Sequence, residues 1–400
     1  MAGRERTDLW RRATALLVAC ALVVASAPVA AAQTQDADAV ADRVTAEGAV
    51  LWDPLDGRVL WGRAPDASRR MASTTKIMTA LLAVEAGTIG DTVRVSATAA
   101  AADTEPGAAT LNLRVGQRVG MRGLLQALMM RSGNDAAAAV AEHVAGSRQA
   151  FVAAMNRRAR RLGLDDTHFL DATGLSDDPR HHASPSDLAR LAEIAMARPA
   201  FADLVGTFRD DVPGFGALTS RNLLLDTYDG ATGVKTGYTA LAGLCLVASA
   251  TRDGRTLYTA VLDSDDSFAD TTVLLDHGFD AYDVAAADAV DAGVYRTSQG
   301  SVDLRVSDSA PRTVPADATV RVRSWLDPQP PARVAAGTRL GRAELVVDGR
   351  IVDTAGLEAT SDLDGPRRIP PAAVVGDAVE DAVRAYVRST PRRVRVTTSG

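Results

Sequence analysis

Lysine occurs only twice in this 400-residue chain, as Lys76 and Lys235, although lysines and arginines together number 44. A chain that uses arginine almost everywhere keeps an amine at two places. An amine can give up its proton when burial or a nearby cation lowers its pKa from about 10.4, whereas a guanidinium does not deprotonate in proteins. Ser73 stands three residues before Lys76 in "STTK". On a helix, residues three apart share a face, so hydroxyl and amine can meet. A serine hydroxyl is a weak nucleophile until a base takes its proton, and Lys76 is of the type that can be that base. Taken alone, a serine three before a lysine is a common accident.

Two further groupings add weight. "RSGNDAA" places Ser132, Gly133 and Asn134 at a break between two apolar-periodic stretches, where a hydroxyl and an amide can point into a cleft. "GVKTGYT" places Lys235, Thr236 and Gly237 on a strand. There Lys235 supplies a cation for a carboxylate and can help lower the pKa of Lys76. Gly237 removes side-chain bulk where another backbone approaches. Alone, the first grouping is a capped loop and the second a surface strand with a solvated lysine. Together, in this order and holding both lysines of the chain, they resemble the S-x-x-K, S-D-N and K-T-G set of one class of acyl-transfer enzymes, with Gly133 at the middle position of the second.

On these motifs the chain resembles the low-molecular-weight penicillin-binding proteins of the D-alanyl-D-alanine carboxypeptidase type. The resemblance runs from about Ala49 to Ala359 and includes "LLQALMMRSGNDAAAAVAEHVAG", "HFLDATGL", "GVKTGYTALAGLCLVASA" and "PARVAAGTRLGRAELVVDGRIV". It implies Ser73 as the acylated nucleophile, Lys76 as its general base and Ser132 as a proton shuttle toward the leaving amine. It implies Asn134 on the substrate amide, and Lys235, Thr236 and Arg221 at the terminal carboxylate. The backbone N–H groups of Ser73 and Tyr238 would form the oxyanion hole. The expected partners are peptidoglycan stem peptides ending in D-Ala-D-Ala and β-lactam inhibitors, with no cofactor. "HFLDATGL" departs from the family pattern, with Asp171 and Ala172 where Asn and Pro are expected.

Other readings compete. A class A β-lactamase shares the motifs but uses a Glu-x-x-x-Asn arrangement, and neither Glu142 nor Glu193 stands four residues before an Asn. A DD-endopeptidase would use the same residues. A non-catalytic wall-binding homologue would not need Ser73 and Lys76 intact. No G-x-S-x-G, H-E-x-x-H or cysteine cluster suggests a Ser-His-Asp hydrolase or a metal site. The five histidines are scattered. His143 falls on a helix, and His168, His181, His182 and His277 fall in loops, with surface or capping roles expected.

The elements that must hold these residues can be read from the pattern. Asp56-Gly57, Asp253-Gly254 and Asp348-Gly349 each sit between two apolar runs, as in tight hairpins. "STTKIMTALLAVEAG" reads as a helix ending at Gly87. Helices are expected on either side of 132–134, in "SRQAFVAAMNRRARRLG" up to Gly163, and after Ser184, with Asp187 in the first turn. Strands, then helices, then strands predict an α+β fold, an antiparallel sheet with a helical subdomain, over 47–282. Short strands over 283–360 predict a small all-β domain.

Residues 1–32 have the layout of a signal peptide: a basic start, an apolar run and small residues before polar chain. A membrane anchor is the alternative for that segment, because the apolar run is nearly long enough to span, and lipidation at Cys20 is a further one. An N-terminal stretch of 33–46 then leads into the first domain, and export to the periplasm or wall is expected. The tail 361–400 carries an amphipathic stretch with Val375, Val379, Val383 and Tyr386 on one face. Its plain reading is a surface helix with a basic end, and its sharper reading is a peripheral contact with membrane or wall polymer. A net charge of −6 with a pI near 5.5 argues against nucleic acid as a partner. Cys245, in the strand-like "GLCLVASA", reads as a small core residue.

Overall fold

The computed structural model describes residues 38–102, 109–289, 292–297, 300–327 and 333–364. Expectations for residues 1–32, Cys20 included, and for the tail beyond 364 fall outside them. Five strands form the central sheet: β1 (Gly48–Asp53), β2 (Arg58–Arg63), β3 (Ala231–Thr239), β4 (Gly243–Arg252) and β5 (Arg255–Ser264). They lie in the order β2-β1-β5-β4-β3, each pair antiparallel, so β3 with its Lys-Thr-Gly is an edge strand. The β4–β5 hairpin closes through Asp253 at φ 50° and Gly254 at φ 78°, both left-handed, as the Asp-Gly signal requires.

Both faces of this sheet are covered. Leu51, Leu246, Ala248 and Leu257 face Leu274 and Leu275 of α6 (Ser267–Ala281). Val50, Val247, Ala260 and Leu262 face the helical layer. That layer holds α1 (Lys76–Glu85), α2 (Met121–Arg131), α3 (Asn134–Ala145), α4 (Arg148–Leu162) and α5 (Pro185–Met196). Cover on two faces is why β4 reads as an apolar run instead of an alternation. Burying each large aliphatic side chain here contributes about 1.5–3 kcal/mol.

Local signals set the helix ends. The Ser184 hydroxyl accepts from Asp187 N–H at the start of α5, with Pro185 in the first turn. Ser147 caps α4 in the same way, and Gly163 ends it at φ 65°. Only Phe151, Met155 and Ala159 of α4 are buried, at i, i+4 and i+8, which matches its arginine-rich sequence. His277 lies within α6, not in a loop, because the helix runs on to Ala281. Two short antiparallel strand pairs, Thr92–Arg94 with Arg118–Gly120 and Arg209–Val212 with Gly216–Thr219, carry too little periodicity to be read from sequence.

The C-terminal part is all β. Strands β6 (Val294–Thr297), β7 (Gly300–Ser307), β8 (Val320–Leu326), β9 (Arg339–Val347) and β10 (Arg350–Ala359) form one sheet in the order β6-β7-β10-β9-β8. Its core is separate, built on Tyr295, Val302, Leu340, Leu345 and Leu357. Thr313 ties this part to the first sheet. Its hydroxyl donates to Asp53 at 2.6 Å and its N–H to Asp56 at 2.9 Å, and its carbonyl accepts from Arg58 at 2.8 Å. Asp53 is fully buried and pairs with Arg255 at 2.8 Å.

Candidate active site

Ser73 sits in a 3-10 turn, Ala72–Thr75, and Lys76 is the first residue of α1. The i, i+3 pair therefore spans the junction of two helix types, and the side chains still meet. Lys76 Nζ lies 2.7 Å from Ser73 Oγ. It also lies 2.8 Å from Asn134 Oδ1 and 2.6 Å from the Thr173 carbonyl oxygen. Lys76 is fully buried. Two of its three neighbours can only accept. A neutral amine gives its two N–H bonds to those carbonyls and turns its lone pair to the Ser73 hydroxyl.

The break between α2 and α3 delivers Asn134. Ser132 ends α2 in the left-handed region at φ 67°, Gly133 caps α3, and Asn134 is its first residue. A Cβ on Gly133 would lie 2.5 Å from Leu111 Cγ and 2.9 Å from Asp135 Oδ1, so a small residue suits the middle of this triplet. Asp135 accepts from the N–H groups of Leu111 and Leu113 and ties this break to the preceding loop. Ser132 Oγ is buried and has no hydrogen-bond partner among the described residues.

β3 packs against the nucleophile turn at Gly237. A Cβ there would stand 3.1 Å from Ser73 N, 3.1 Å from Ala72 Cβ and 3.2 Å from Met71 O. This is the close backbone approach expected from the sequence. Lys235 is buried, and its Nζ donates to the Thr236 carbonyl at 2.8 Å. Burial, then repulsion from Lys76, then from Arg221, pushes its pKa well below the ordinary lysine value. Lys235 thus feels the charge of Lys76. Arg221 lies at the exposed rim, held by its N–H to the Met130 carbonyl at 3.0 Å. Thr236 is partly buried, and Tyr238 is exposed.

One contributor escaped sequence reading: the loop that supplies the Thr173 carbonyl. Asp171 shapes it. One carboxylate oxygen accepts from Thr173 N–H at 2.7 Å, the Thr173 hydroxyl at 2.8 Å and Gly174 N–H at 2.6 Å. The other accepts from Ser176 N–H at 2.9 Å. Asp171 is held below its ordinary pKa although burial works the other way, because His181 and these donors favour its charge. Thr79, one turn on from Lys76, donates to the Ala172 carbonyl at 2.8 Å, so α1 grips the loop twice. Gly174, at φ +87°, passes so close to the Ala72 carbonyl that a Cβ would overlap it. His181 is buried, which corrects the expectation of a surface role. Its Nδ1 accepts from Leu170 N–H at 2.9 Å, which leaves Nε2–H to donate to Thr75 Oγ1 at 3.0 Å. Burial, the largest influence, lowers its pKa and favours this neutral ring. A backbone carbonyl has no residue signature. "HFLDATGL" marked only the loop that bears it.

Other expectations concern plain features. Cys245 is buried, and its thiol is pushed up to about 12 by burial, so it is a core residue. Among the described residues no group of His, Cys, Asp or Glu could hold a metal ion, and no helix is long and apolar enough to cross a membrane.

Comparison with known proteins bears on the family and the fold. The profile of the D-alanyl-D-alanine carboxypeptidase family matches residues 32–266. The D-alanyl-D-alanine carboxypeptidase DacF of Bacillus subtilis is 34% identical over 250 residues, 60% of this chain and 63% of that protein. The D-alanyl-D-alanine carboxypeptidase of Streptomyces sp. K15 is 32% identical over 291 residues, 67% of this chain and 98% of that protein. Penicillin binding protein 5 of Haemophilus influenzae superposes with a TM-score of 0.62 at 28% identity, covering 81% of this chain and 98% of that one. The Streptomyces K15 DD-transpeptidase superposes with a TM-score of 0.55 at 33% identity, covering 59% of this chain and 97% of that one. The chain belongs to the D-alanyl-D-alanine carboxypeptidase family.

Proposed function

We propose that this protein is a serine-type D-Ala-D-Ala carboxypeptidase of the bacterial envelope. The observation that carries the reading is the buried contact of 2.7 Å between Lys76 Nζ and Ser73 Oγ, with Lys76 steered by Asn134 and Thr173. Ser73 Oγ attacks the carbonyl of the penultimate D-Ala of a peptidoglycan stem peptide, and its proton passes to Lys76. The developing oxyanion lies at the N–H groups of Ser73 and Tyr238. Two preorganised donors of this kind lower such barriers by about 2.7–4 kcal/mol each. Ser132 returns a proton to the leaving D-Ala amine, and its buried, unpartnered hydroxyl suits that exchange. Lys235, Thr236 and Arg221 hold the terminal carboxylate. Water then attacks the acyl-enzyme, with Lys76 again as base. A β-lactam, which presents a carboxylate and a strained carbonyl, acylates the same serine.

The test is release of D-Ala from a peptide ending in D-Ala-D-Ala, followed beside labelling by fluorescent penicillin. Release and labelling together support the reading. Labelling without release points to a binding homologue. Sustained penicillin turnover points to a β-lactamase, and cleavage confined to cross-linked dimers to an endopeptidase.

A further inference from the structure

One peptide group joins Asp171 to Lys76. Gly174 N–H donates to Asp171 Oδ1 at 2.6 Å, and the carbonyl of the same peptide, that of Thr173, accepts from Lys76 Nζ at 2.6 Å. A hydrogen bond at one end of a peptide polarises it and strengthens the bond at the other, most of all when the partner is charged. The peptide has little freedom to turn away. The Thr173 N–H and hydroxyl also hold Asp171 Oδ1, at 2.7 Å and 2.8 Å, and a Cβ on Gly174 would overlap the Ala72 carbonyl.

Asp171 stands where the resemblance calls for Asn. An amide oxygen could accept the same three bonds, so what the carboxylate adds is charge. Burial works against that charge, but His181 and these donors outweigh it and hold the pKa of Asp171 below the ordinary carboxylate value. The basic groups around Lys76 act in the opposite sense. They are Lys235 on β3, with Arg221 beyond it, and the His181 ring under Thr75, and positive charge on any of them disfavours an ammonium at Lys76. His168 and His182 face His181 in turn. Asp135 on α3 is a second buried carboxylate near this junction, and its oxygens accept from Thr110, Leu111, Leu113 and Ala136.

We infer that Asp171 is a positioning residue for acylation: its negative charge, carried through the Thr173–Gly174 peptide, strengthens the hold of the Thr173 carbonyl on Lys76 and sets the pH at which that base works. The inference rests on the reading of Lys76 as the base and adds the group that tunes it.

The chain has two lysines, so protein carrying lysine isotopically labelled at Cε gives one NMR carbon signal for each, and Lys235→Arg identifies that of Lys76. The signal is followed against pH in the wild-type protein, in Asp171→Asn and in Thr79→Val. Asn keeps an acceptor oxygen and removes the charge. Val removes the Thr79 bond to the Ala172 carbonyl, which loosens the same loop without changing its charge. The midpoint of Lys76 should fall by about one pH unit in Asp171→Asn, the order expected when one charge leaves a partly buried site, and stay within about 0.3 unit in Thr79→Val. The acid limb of acylation by a fluorescent penicillin should move down with the midpoint. An unmoved midpoint in Asp171→Asn, or an equal fall in Thr79→Val, would overturn the inference. Should Asp171→Asn fold poorly, the wild-type protein still decides. The Gly174 amide nitrogen belongs to the bridging peptide, so its chemical shift should change with the midpoint of Lys76, and a Gly174 signal indifferent to that titration would overturn the relay. A midpoint that moves as stated in a protein that penicillin fails to acylate would leave the coupling standing and overturn the acyl-enzyme reading instead.

Discussion

Gly237→Ala tests how tightly the edge strand holds the nucleophile. The new methyl would stand 3.1 Å from Ser73 N and Ala72 Cβ and 3.2 Å from Met71 O. Relaxed carbon contacts lie at about 3.5–4.0 Å, so the shortfall is about half an ångström. Two of the three neighbours are backbone atoms of the turn that carries Ser73, and no flexible side-chain end is there to yield. The turn must therefore move off β3, and it takes with it one of the two proposed oxyanion donors. Overpacking of this kind costs about 1–3 kcal/mol, and each kcal/mol lowers Tm by about 2–4 °C in a domain of this size. A displacement of about 1 Å at reacting groups can cost a hundredfold, so half of that should slow acylation about tenfold. Stopped-flow acylation by a fluorescent penicillin, beside a thermal melt, measures both. A variant that melts lower but acylates within about twofold of wild type would refute the coupling between β3 and Ser73.

Four further outcomes follow from the same geometry. Lys76→Arg should abolish acylation, while Lys235→Arg keeps part of it, because Lys235 needs only its charge; comparable loss in both variants would show that Lys235 also titrates in the mechanism. The pH dependence follows from Lys235's lowered pKa: its ammonium is intact at low pH and lost as pH rises, so kcat/KM should fall on the alkaline side before the ordinary lysine value of about 10.4. Lys235→Arg should move that limb upward, and an unmoved limb would assign it to another group. Asp171→Asn should weaken the loop by about 1–3 kcal/mol, because the amide replaces the oxygen that accepts Ser176 N–H with a donor; unchanged chemical denaturation would mean that the loop does not depend on this carboxylate. His181 has a folded pKa below its ordinary 6.5, so its contribution is whole above about pH 6.5 and declines as pH falls and the unfolded chain takes up the proton. His181→Gln should flatten the fall of Tm between about pH 7 and about pH 5, and an equal slope in both proteins would count against this.

The chemistry was legible wherever it rests on side chains of distinctive type. Two lysines among many arginines located both the candidate base and the candidate carboxylate cation, and Gly237 announced the backbone contact it makes. The Asp-Gly turns and the Ser184 cap set element boundaries through local physics. The loop at 171–174 resisted because its contribution is a carbonyl oxygen, placed by hydrogen bonds between Asp171, Thr79 and segments far apart in sequence. His181 resisted for a similar reason: nothing local distinguishes it from His182, yet one ring is buried under Thr75 and the other lines an open cavity. The short strand pairs at 92–94 with 118–120 and at 209–219 were missed because three- and four-residue strands leave almost no period to count.

The central claim is that Ser73, activated by Lys76, becomes acylated. It is tested most directly by the intact mass of the protein after brief exposure to benzylpenicillin, followed by peptide mapping of the adduct. One penicilloyl group on the peptide that carries Ser73 is expected, absent from both Ser73→Ala and Lys76→Arg. An adduct on another residue, or one that persists in Ser73→Ala, would contradict it.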